Sequence, residues 1–187
     1  MEHVIRFFGP ITPRSIGNLS EIVFQAISVN GTTHLKILFS SEGGDLSSGF
    51  AAYHFLRSLP IPVTMHNFGT VESIAAIVYL AADERLIVPH GRILLHNFNW
   101  TFNAGCVDHN RLSEHQMSLD FDLNRYAAIF DERTHGADKP IEIRECLTGS
   151  ALILDATATV TAGIASRVVP AEGAVIAQAT KWWVSVV

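Results

Sequence analysis

A serine and a histidine in this 187-residue chain have the settings of a nucleophile and its general base. Ser73 follows one apolar run and opens another, which predicts a position at or near the N-terminus of a helix. Free N–H groups and the helix dipole at such a position stabilise a developing negative charge, which favours a nucleophile. His96 ends the next apolar, strand-like run, so an α/β fold could bring its imidazole to the serine hydroxyl as a proton acceptor.

Both residues also have structural explanations. A serine at the start of a helix is commonly an N-cap, and a histidine inside an apolar strand more often satisfies a hydrogen bond in the core. On local sequence alone, these explanations outweigh catalysis for Ser73 and for His96. A decision between them depends on the fold and on the neighbouring motifs.

A third segment could supply an anion site. Gly43 and Gly44 lie in the loop of residues 40–45, between a predicted strand and a predicted helix. Adjacent glycines allow a tight turn and present bare N–H groups, which can hold an anion. The same pair between a strand and a helix is also a plain turn, so the signal is weak by itself.

The elements that must position these residues follow an alternating pattern. Short apolar runs rich in β-branched residues predict buried strands at residues 4–8, 34–39, 62–66, 85–88 and 92–98. Helices are predicted from residue 12 or 15 to about 30, and at about 49–59, 72–82, 108–134 and 155–163, before a last strand at 167–169. The first three strands start about 30 residues apart and each precedes a helix, which predicts repeated right-handed β-α units and an α/β fold.

Composition limits the class of protein. The chain is 48% hydrophobic and only 17% charged, and its 13 basic and 18 acidic residues are interleaved, so no nucleic-acid surface is expected. Its size predicts a single domain over residues 1–187, with a core at about 4–169 and a C-terminal tail at 170–187. The high apolar content predicts that part of the surface is buried in an oligomer.

Targeting and redox signals favour the cytoplasm. The N-terminus lacks the long apolar core of a signal peptide, and the apolar run at residues 74–82 is too short to span a bilayer. Cys106 and Cys146 match no metal-ligand or disulfide spacing, which fits a reducing compartment. His109 and His115 show no tight ligand spacing, so no metal is expected, and no cofactor motif is found.

In chain order, the motifs resemble those of the ClpP family, the proteolytic subunits of the Clp protease, from about residue 4 to residue 169. Residues 41–44, Ser-Glu-Gly-Gly, are similar to the family's Ser-Pro-Gly-Gly loop, and a small-residue helix follows at 49–53. Residues 69–74, Gly-Thr-Val-Glu-Ser-Ile, are similar to its Gly-x-Ala-Ala-Ser-Met motif. Residues 89–97 are similar to the stretch that runs from a proline to Met-Ile-His-Gln. The ordered set is much more specific than any one motif.

The resemblance implies a ClpP/crotonase-like right-handed β-α spiral, a single domain with a long protruding handle helix at about residues 108–134. It implies that Ser73 is the nucleophile, that His96 is the general base, and that the backbone N–H groups of Gly44 and Ile74 form the oxyanion hole. The implied activity is that of a serine endopeptidase acting on peptides or unfolded proteins inside a homo-oligomeric ring or two stacked heptamers. No metal, organic cofactor, nucleic acid or membrane is implied.

One position departs from the family. Registering residues 161–169 on the family's closing helix and strand puts Ala151 at the position of the third catalytic residue, an aspartate, and Asp155 at a helix-start serine. Asp155 could replace the missing carboxylate if the preceding loop is remodelled, but a role as N-cap explains it fully. Loss of that carboxylate typically costs on the order of 10⁴ in turnover, so a slow Ser–His dyad and an inactive subunit are both open.

Two acidic residues near the site keep a further alternative open. Glu72 stands directly before Ser73. Its negative charge would repel an oxyanion there, or it would interact favourably with the dipole at a helix N-terminus. Glu42 stands where the family has a proline. Crotonase-type acyl-CoA enzymes act through carboxylates, and they are the first alternative function. A non-catalytic scaffold subunit, favoured by Ala151, is the second. The chain begins almost at its first core strand, so an AAA+ ATPase partner is undecided.

Overall fold

The apolar runs of the sequence form the strands of one sheet in the computed structural model, which describes residues 2–28, 31–98, 108–171 and 182–184. The strands are β1 Glu2–Phe8, β2 His34–Ser41, β3 Val63–Glu72, β4 Glu84–Ile87, β5 Arg92–Leu95, β6 Leu152–Leu154, β7 Arg167–Val168 and β8 Trp182–Val184. The helices are α1 Pro13–Ser28, α2 Leu46–Arg57, α3 Ala75–Leu80, α4 His109–Arg133, α5 Ile143–Thr148 and α6 Ala156–Thr161.

Strand β3 is the centre of the sheet, and two different strands share one of its sides. β2 runs along the other side, whereas β4 pairs with residues 64–67 and β5 pairs with residues 70–72. The strand order is β6-β5-β3-β2-β1-β8, with β4 joining β3 to β7, and every pair is parallel except β5 with β6. The predicted α/β class is confirmed, and the carboxyl ends of β2, β3 and β5 meet at one edge.

Two helices pack against the sheet through buried apolar residues. Helix α1 buries Ile16, Leu19, Val23 and Ala26, the face that the helical spacing predicts. All six residues of α3 are completely buried, which accounts for the uncharged run that follows Ser73 in the sequence. Among the described residues, no helix has both the length and the apolar character to cross a membrane.

Two helices start at residues other than those predicted. Helix α2 begins at Leu46 instead of Gly49, because Asp45 caps it by accepting a hydrogen bond from a first-turn N–H at 2.7 Å. Helix α3 begins at Ala75 instead of about residue 72, because the ladder with β5 keeps β3 extended through Glu72. The interpretation of Glu72 as a residue at a helix N-terminus is therefore wrong, since it ends a strand.

Several elements differ from the sequence pattern or have no counterpart in it. Strand β5 ends at Leu95, so it is shorter than the predicted run to residue 98. Helix α5 and strand β6 lie between α4 and α6 where no element was predicted. Strand β8 pairs in parallel with residues 4–6 of β1, so this part of the C-terminal tail adds to the sheet.

The half-buried Arg85 joins three segments that are distant in the sequence. The Arg85 guanidinium donates hydrogen bonds to the carbonyl oxygens of Ile164 at 2.7 Å, Gly163 at 3.2 Å and Arg133 at 3.2 Å. A longer bond of 3.4 Å reaches the carbonyl oxygen of Ala82. Burial and the neighbouring Arg133 guanidinium lower the pKa of Arg85. Among the described residues, the hydrogen bonds of its guanidinium all go to backbone carbonyl oxygens.

Replacing this arginine should destabilise the domain. Arg85→Leu leaves buried carbonyl groups without donors, and we expect the free energy of unfolding to fall by roughly 2–3 kcal/mol. Urea unfolding followed by circular dichroism measures it. The matched control is Arg57→Leu, because Arg57 forms an exposed ion pair with Asp83 at 3.0 Å that is worth about 1 kcal/mol or less. Equal losses for the two variants would contradict the structural role of Arg85.

Candidate active site

Ser73 occupies a strained turn between β3 and α3. It is the one residue other than glycine with a positive φ in the described part of the chain, at 55°. A left-handed conformation costs an L-residue roughly 1–2 kcal/mol, so the surrounding contacts must hold it. The Ser73 N–H donates to the Leu94 carbonyl oxygen at 3.0 Å, and the Ser73 carbonyl oxygen accepts from the Ala76 N–H at 3.0 Å. A serine on a sharp strand-to-helix turn has the geometry of a hydrolase nucleophile.

His96 lies beside this turn because of the strand register. Glu72 pairs with Leu94 in the parallel ladder of β3 and β5, and Ser73 and His96 are each the first residue after their strands. Neighbouring strands lie about 4.8 Å apart, so the two catalytic candidates leave the sheet side by side. No hydrogen bond joins the Ser73 hydroxyl to the His96 imidazole among the described residues, and such bonds commonly tighten only when substrate is bound.

A backbone carbonyl assigns the tautomer of His96. The distance from His96 Nδ1 to the carbonyl oxygen of Asn97 is 2.6 Å. A carbonyl oxygen can only accept, so Nδ1 carries the proton and Nε2 of the neutral ring has the free lone pair. This is the tautomer that a general base needs when it takes a proton from a serine hydroxyl through Nε2.

The glycine loop packs directly against Ser73. A Cβ atom on Gly43, where φ is 91°, would lie 2.8 Å from both the Glu72 carbonyl oxygen and Ser73 Cβ. The loop is fixed from its other side, because the Ile11 N–H donates to the Gly43 carbonyl oxygen at 2.7 Å. Gly44 adopts a φ of 143°, and a Cβ there would overlap the backbone of Ile11. Only glycine fits at both positions.

Two backbone N–H groups beside Ser73 are available to bind an anion. Within the described ranges, the N–H groups of Gly44 and Ile74 donate to no protein acceptor. One belongs to the glycine loop after β2, and the other belongs to the residue that follows Ser73. Two unpaired N–H groups that point to the same carbonyl oxygen of a substrate stabilise a tetrahedral oxyanion.

The third catalytic position of the resemblance lies next to His96 but has no acceptor. In the antiparallel ladder of β5 and β6, Leu94 pairs with Ile153 and Leu95 pairs with Leu152. One further step in this register puts Ala151 opposite His96. A methyl side chain cannot accept the Nδ1 proton, and the Asn97 carbonyl oxygen takes it instead.

Asp155 has a different partner. Its Oδ1 accepts a hydrogen bond from the Ala158 N–H at 2.8 Å, and its extended backbone is that of an N-cap for α6. Asp155 is four residues from Ala151 along the chain, which corresponds to about 13 Å along an extended strand. Its exposed carboxylate therefore caps a helix at a distance from His96.

Glu72, next to the nucleophile, is held by a cation. Its Oε1 accepts from Arg92 Nη2 at 2.6 Å and from the Thr70 hydroxyl at 2.7 Å. Arg92 Nε also donates to the Thr70 hydroxyl at 3.2 Å. The Glu72 side chain is mostly buried, and it is ion-paired with Arg92. The positive charge of Arg92 offsets the negative charge of Glu72, which weakens the repulsion of an oxyanion at Ser73.

No pattern in the sequence indicates a role for two side chains around the site. Tyr126 of α4 donates from its hydroxyl to the Ser73 carbonyl oxygen at 3.0 Å, and Arg92 neutralises Glu72. Each depends on a contact between segments at least 20 residues apart; Tyr126 belongs to no motif, and Arg92 lies within residues 89–97 at a position to which the resemblance assigns no role. No group of three or more histidine, cysteine, aspartate or glutamate side chains is placed to hold a metal ion in the described ranges.

Cys146, the cysteine within the described residues, is not part of this site. Cys146 is a buried free thiol in α5, and burial, with Glu145 nearby, raises the pKa of its thiol. A raised pKa keeps the thiol protonated and weakly reactive. Cys106 lies outside the described residues.

Comparison with known proteins identifies the family. The family model described as Clp protease matches residues 2–172, which is nearly the whole chain. The chain belongs to the Clp protease family. Its sheet and helices are also similar to those of a ClpP1 mutant from Listeria monocytogenes, with a TM-score of 0.73 over 90% of this chain and 91% of that one. Sequence identity to that structure is 18%, so the match confirms the predicted fold class.

Curated relatives of the Clp protease family match shorter segments. Proteolytic subunit 2 of the ATP-dependent Clp protease from Borreliella burgdorferi is 39% identical over 62 residues, which cover 32% of this chain and 31% of that protein. Proteolytic subunit 3 from Rhizobium etli is 30% identical over 95 residues, covering 49% of this chain and 48% of that protein. The matched segments thus span about a third to a half of the relatives' length.

The contact between the glycine loop and the nucleophile can be tested by adding one methyl group. Gly43→Ala would force Ser73 and the Glu72 carbonyl group to move, and a displacement of about 1 Å at a catalytic group can cost roughly 10²-fold in rate. We expect the rate of peptide hydrolysis to fall by about that factor. Gly136→Ala is the control, because Gly136 has a φ of 82° with open space around it. A similar activity loss in both variants would show that backbone strain alone accounts for the effect.

Proposed function

We propose that this chain is a serine peptidase of the Clp proteolytic-subunit type, with Ser73 as nucleophile and His96 as general base. The observation that carries the proposal is the placement of Ser73. It sits in a strained turn at the end of β3, beside the end of β5 that carries His96, and between two unpaired N–H groups. Membership of the Clp protease family supports the same reaction class.

The chain's residues can perform each step of acyl transfer. His96 Nε2 takes the hydroxyl proton as Ser73 Oγ attacks the peptide carbonyl carbon. The N–H groups of Gly44 and Ile74 receive the tetrahedral oxyanion. Collapse of this intermediate breaks the C–N bond, and the leaving amine takes the proton from His96. Water then attacks the acyl-enzyme with the same histidine as base, which releases the acid and restores Ser73.

The third member of a triad is replaced by a neutral group. A carboxylate next to Nδ1 fixes the tautomer and also stabilises the imidazolium that forms during attack. The Asn97 carbonyl oxygen fixes the tautomer through its 2.6 Å contact, but it has no full negative charge. The large loss of roughly 10⁴ reported for a triad without its aspartate reflects a wrong tautomer, so a smaller loss is expected here. The proposed enzyme is slow but competent.

The proposal includes the setting that the family implies. The substrate is a peptide or an unfolded protein, cut inside a chamber formed by a homo-oligomeric ring, or two stacked rings, in the cytoplasm. Exposed apolar side chains along α4, which include Leu112, Met117 and Phe121, support association through this helix. Common ancestry with the crotonase fold belongs to the same proposal.

A scaffold subunit without activity is the second candidate, and Ala151 is the observation that favours it. Such a subunit would assemble with active copies and contribute shape. The acyl-CoA alternative rests on a carboxylate that acts on the substrate. It has less support, because Glu72 is engaged by Arg92 and Thr70.

Covalent labelling tests the Ser–His pair. Treating the full chain with a fluorophosphonate probe and digesting it for mass spectrometry should find the adduct on Ser73. Loss of the base in His96→Ala should slow labelling by roughly 10²-fold or more. His90→Ala is the control, because His90 is exposed in the turn between β4 and β5 and should label at the wild-type rate. A folded, assembled protein whose Ser73 stays unmodified would favour the scaffold function.

Supplying the missing carboxylate should increase activity. Ala151 is exposed, and the β5–β6 register continued by one residue puts it opposite His96, so the carboxylate of Ala151→Asp is added beside the imidazole. A charged partner stabilises the imidazolium, and we expect peptide hydrolysis to accelerate by roughly tenfold or more. The control, Ser150→Asp, adds the same charge one residue earlier. Successive side chains of an extended backbone point to opposite sides, so this carboxylate should point away from His96. If neither variant gains activity, or both gain equally, the assignment of position 151 is wrong.

A further inference from the structure

One buried tyrosine contacts both catalytic segments. Tyr126 of α4 is only 1% exposed, and its hydroxyl donates to the Ser73 carbonyl oxygen at 3.0 Å. Its ring meets the ring of Phe98 edge-on, with a centroid distance of 5.5 Å and an interplanar angle of 64°. Phe98 is two residues after His96. A single side chain therefore packs against the nucleophile's backbone and against the segment that carries the base.

The bond to Ser73 has a consequence for the next residue. The Ser73 carbonyl group and the Ile74 N–H belong to the same peptide unit, which is planar and trans. The carbonyl oxygen and the amide hydrogen of such a unit point in opposite directions. Holding the oxygen of Ser73 toward α4 therefore fixes the direction in which the Ile74 N–H points.

This peptide unit needs a restraint. Ser73 has a φ of 55°, which is unfavourable for a serine, so relaxation of the turn would rotate the peptide that follows it. Two donors hold the Ser73 carbonyl oxygen, the Ala76 N–H from within the turn and the Tyr126 hydroxyl from another element. The tyrosine is the one that connects the turn to the rest of the fold.

We propose that Tyr126 is a positioning residue that keeps the Ser73–Ile74 peptide in the orientation in which the Ile74 N–H faces the oxyanion. The inference rests on the proposed function, because it gives that N–H its role. Tyr126 acts through the backbone and does not touch the substrate. Without its hydroxyl, the peptide can turn and withdraw one of the two donors from the transition state.

The chemistry of the tyrosine suits this role. Burial raises the pKa of the Tyr126 phenol well above its ordinary value, so the hydroxyl stays protonated and remains a donor at every working pH. A phenylalanine would fill the same volume and keep the ring contact with Phe98. The hydroxyl is thus separable from the packing, which makes the role testable by removing one atom.

The same fold contains a matched control. Tyr79 of α3 is completely buried, and its hydroxyl donates to the Leu86 carbonyl oxygen at 2.8 Å. Tyr79→Phe and Tyr126→Phe therefore remove the same group from the same kind of bond, and the losses in stability should be similar. The difference is that the peptide after Leu86 contributes no donor to the proposed oxyanion hole.

The experiment compares both variants with the wild type in the full chain. The measurements are kcat and KM for a short fluorogenic peptide, the second-order rate constant for fluorophosphonate labelling of Ser73, and the midpoint of urea unfolding. One oxyanion donor is worth roughly 10²–10³ in kcat, so a misdirected donor in Tyr126→Phe should lower kcat and labelling by about tenfold to 10²-fold. KM should change little, because the donor acts in the transition state. Tyr79→Phe should stay within about twofold of the wild type in both rates.

The outcomes separate the inference from the function on which it rests. If the wild-type Ser73 is not labelled, the proposed peptidase function fails, and the role of Tyr126 fails with it. If wild type is labelled but Tyr126→Phe and Tyr79→Phe have equal kcat, the peptidase stands and the positioning role is overturned. A change in KM alone for Tyr126→Phe also overturns it, since a loss of ground-state binding is not a loss of oxyanion stabilisation.

Discussion

The hydrogen bond from the Ser73 N–H to the Leu94 carbonyl oxygen is the constraint on which the site depends. It extends the β3–β5 ladder by one residue beyond Glu72, the last residue of β3. The chain must then turn within a single residue to enter the buried helix α3, and it does so through a positive φ at Ser73. A parallel ladder before Ser73 and a buried helix after it thus hold this residue from both sides. Burial of helix α3 offsets the cost of the strained conformation at Ser73.

The departure from the usual triad affects one half of the proposed catalytic machinery. The two proposed oxyanion donors come from the glycine loop and from the residue after Ser73, and neither depends on position 151. The proposed base, His96, depends on it, but the Asn97 carbonyl oxygen preserves the orientation and tautomer of the imidazole. What is lost is the charge beside the imidazolium. The ion pair of Glu72 with Arg92 adds no compensation, because both charges are used on each other.

Local patterns in the sequence predicted the strands that carry the site, because a buried parallel strand has a composition of its own. The ordered set of motifs also indicates the family, which the family model confirms, whereas the roles of Ser73, His96 and the glycine loop stay predictions. The start of α3 was misplaced because a ladder with β5, which is remote in the sequence, competes with the helix for residues 72–74. Tyr126 and Arg92 were missed for the same reason, since the value of a tyrosine on a polar helix depends on which carbonyl group it reaches.

Groups that take no part in the proposed reaction hold both proposed oxyanion donors in place. The backbone of Ile11 brackets the glycine loop, with its N–H bonded to Gly43 and its carbonyl oxygen accepting from the Asp45 N–H at 2.9 Å. Tyr126 holds the peptide that carries the other donor. In serine hydrolases, an intact oxyanion hole and substrate binding keep a residual catalysis of roughly 10³–10⁴ over water even when a triad member is removed. The proposed hole therefore depends on Gly43 and Gly44, which have no room for a Cβ, and not on a residue at position 151.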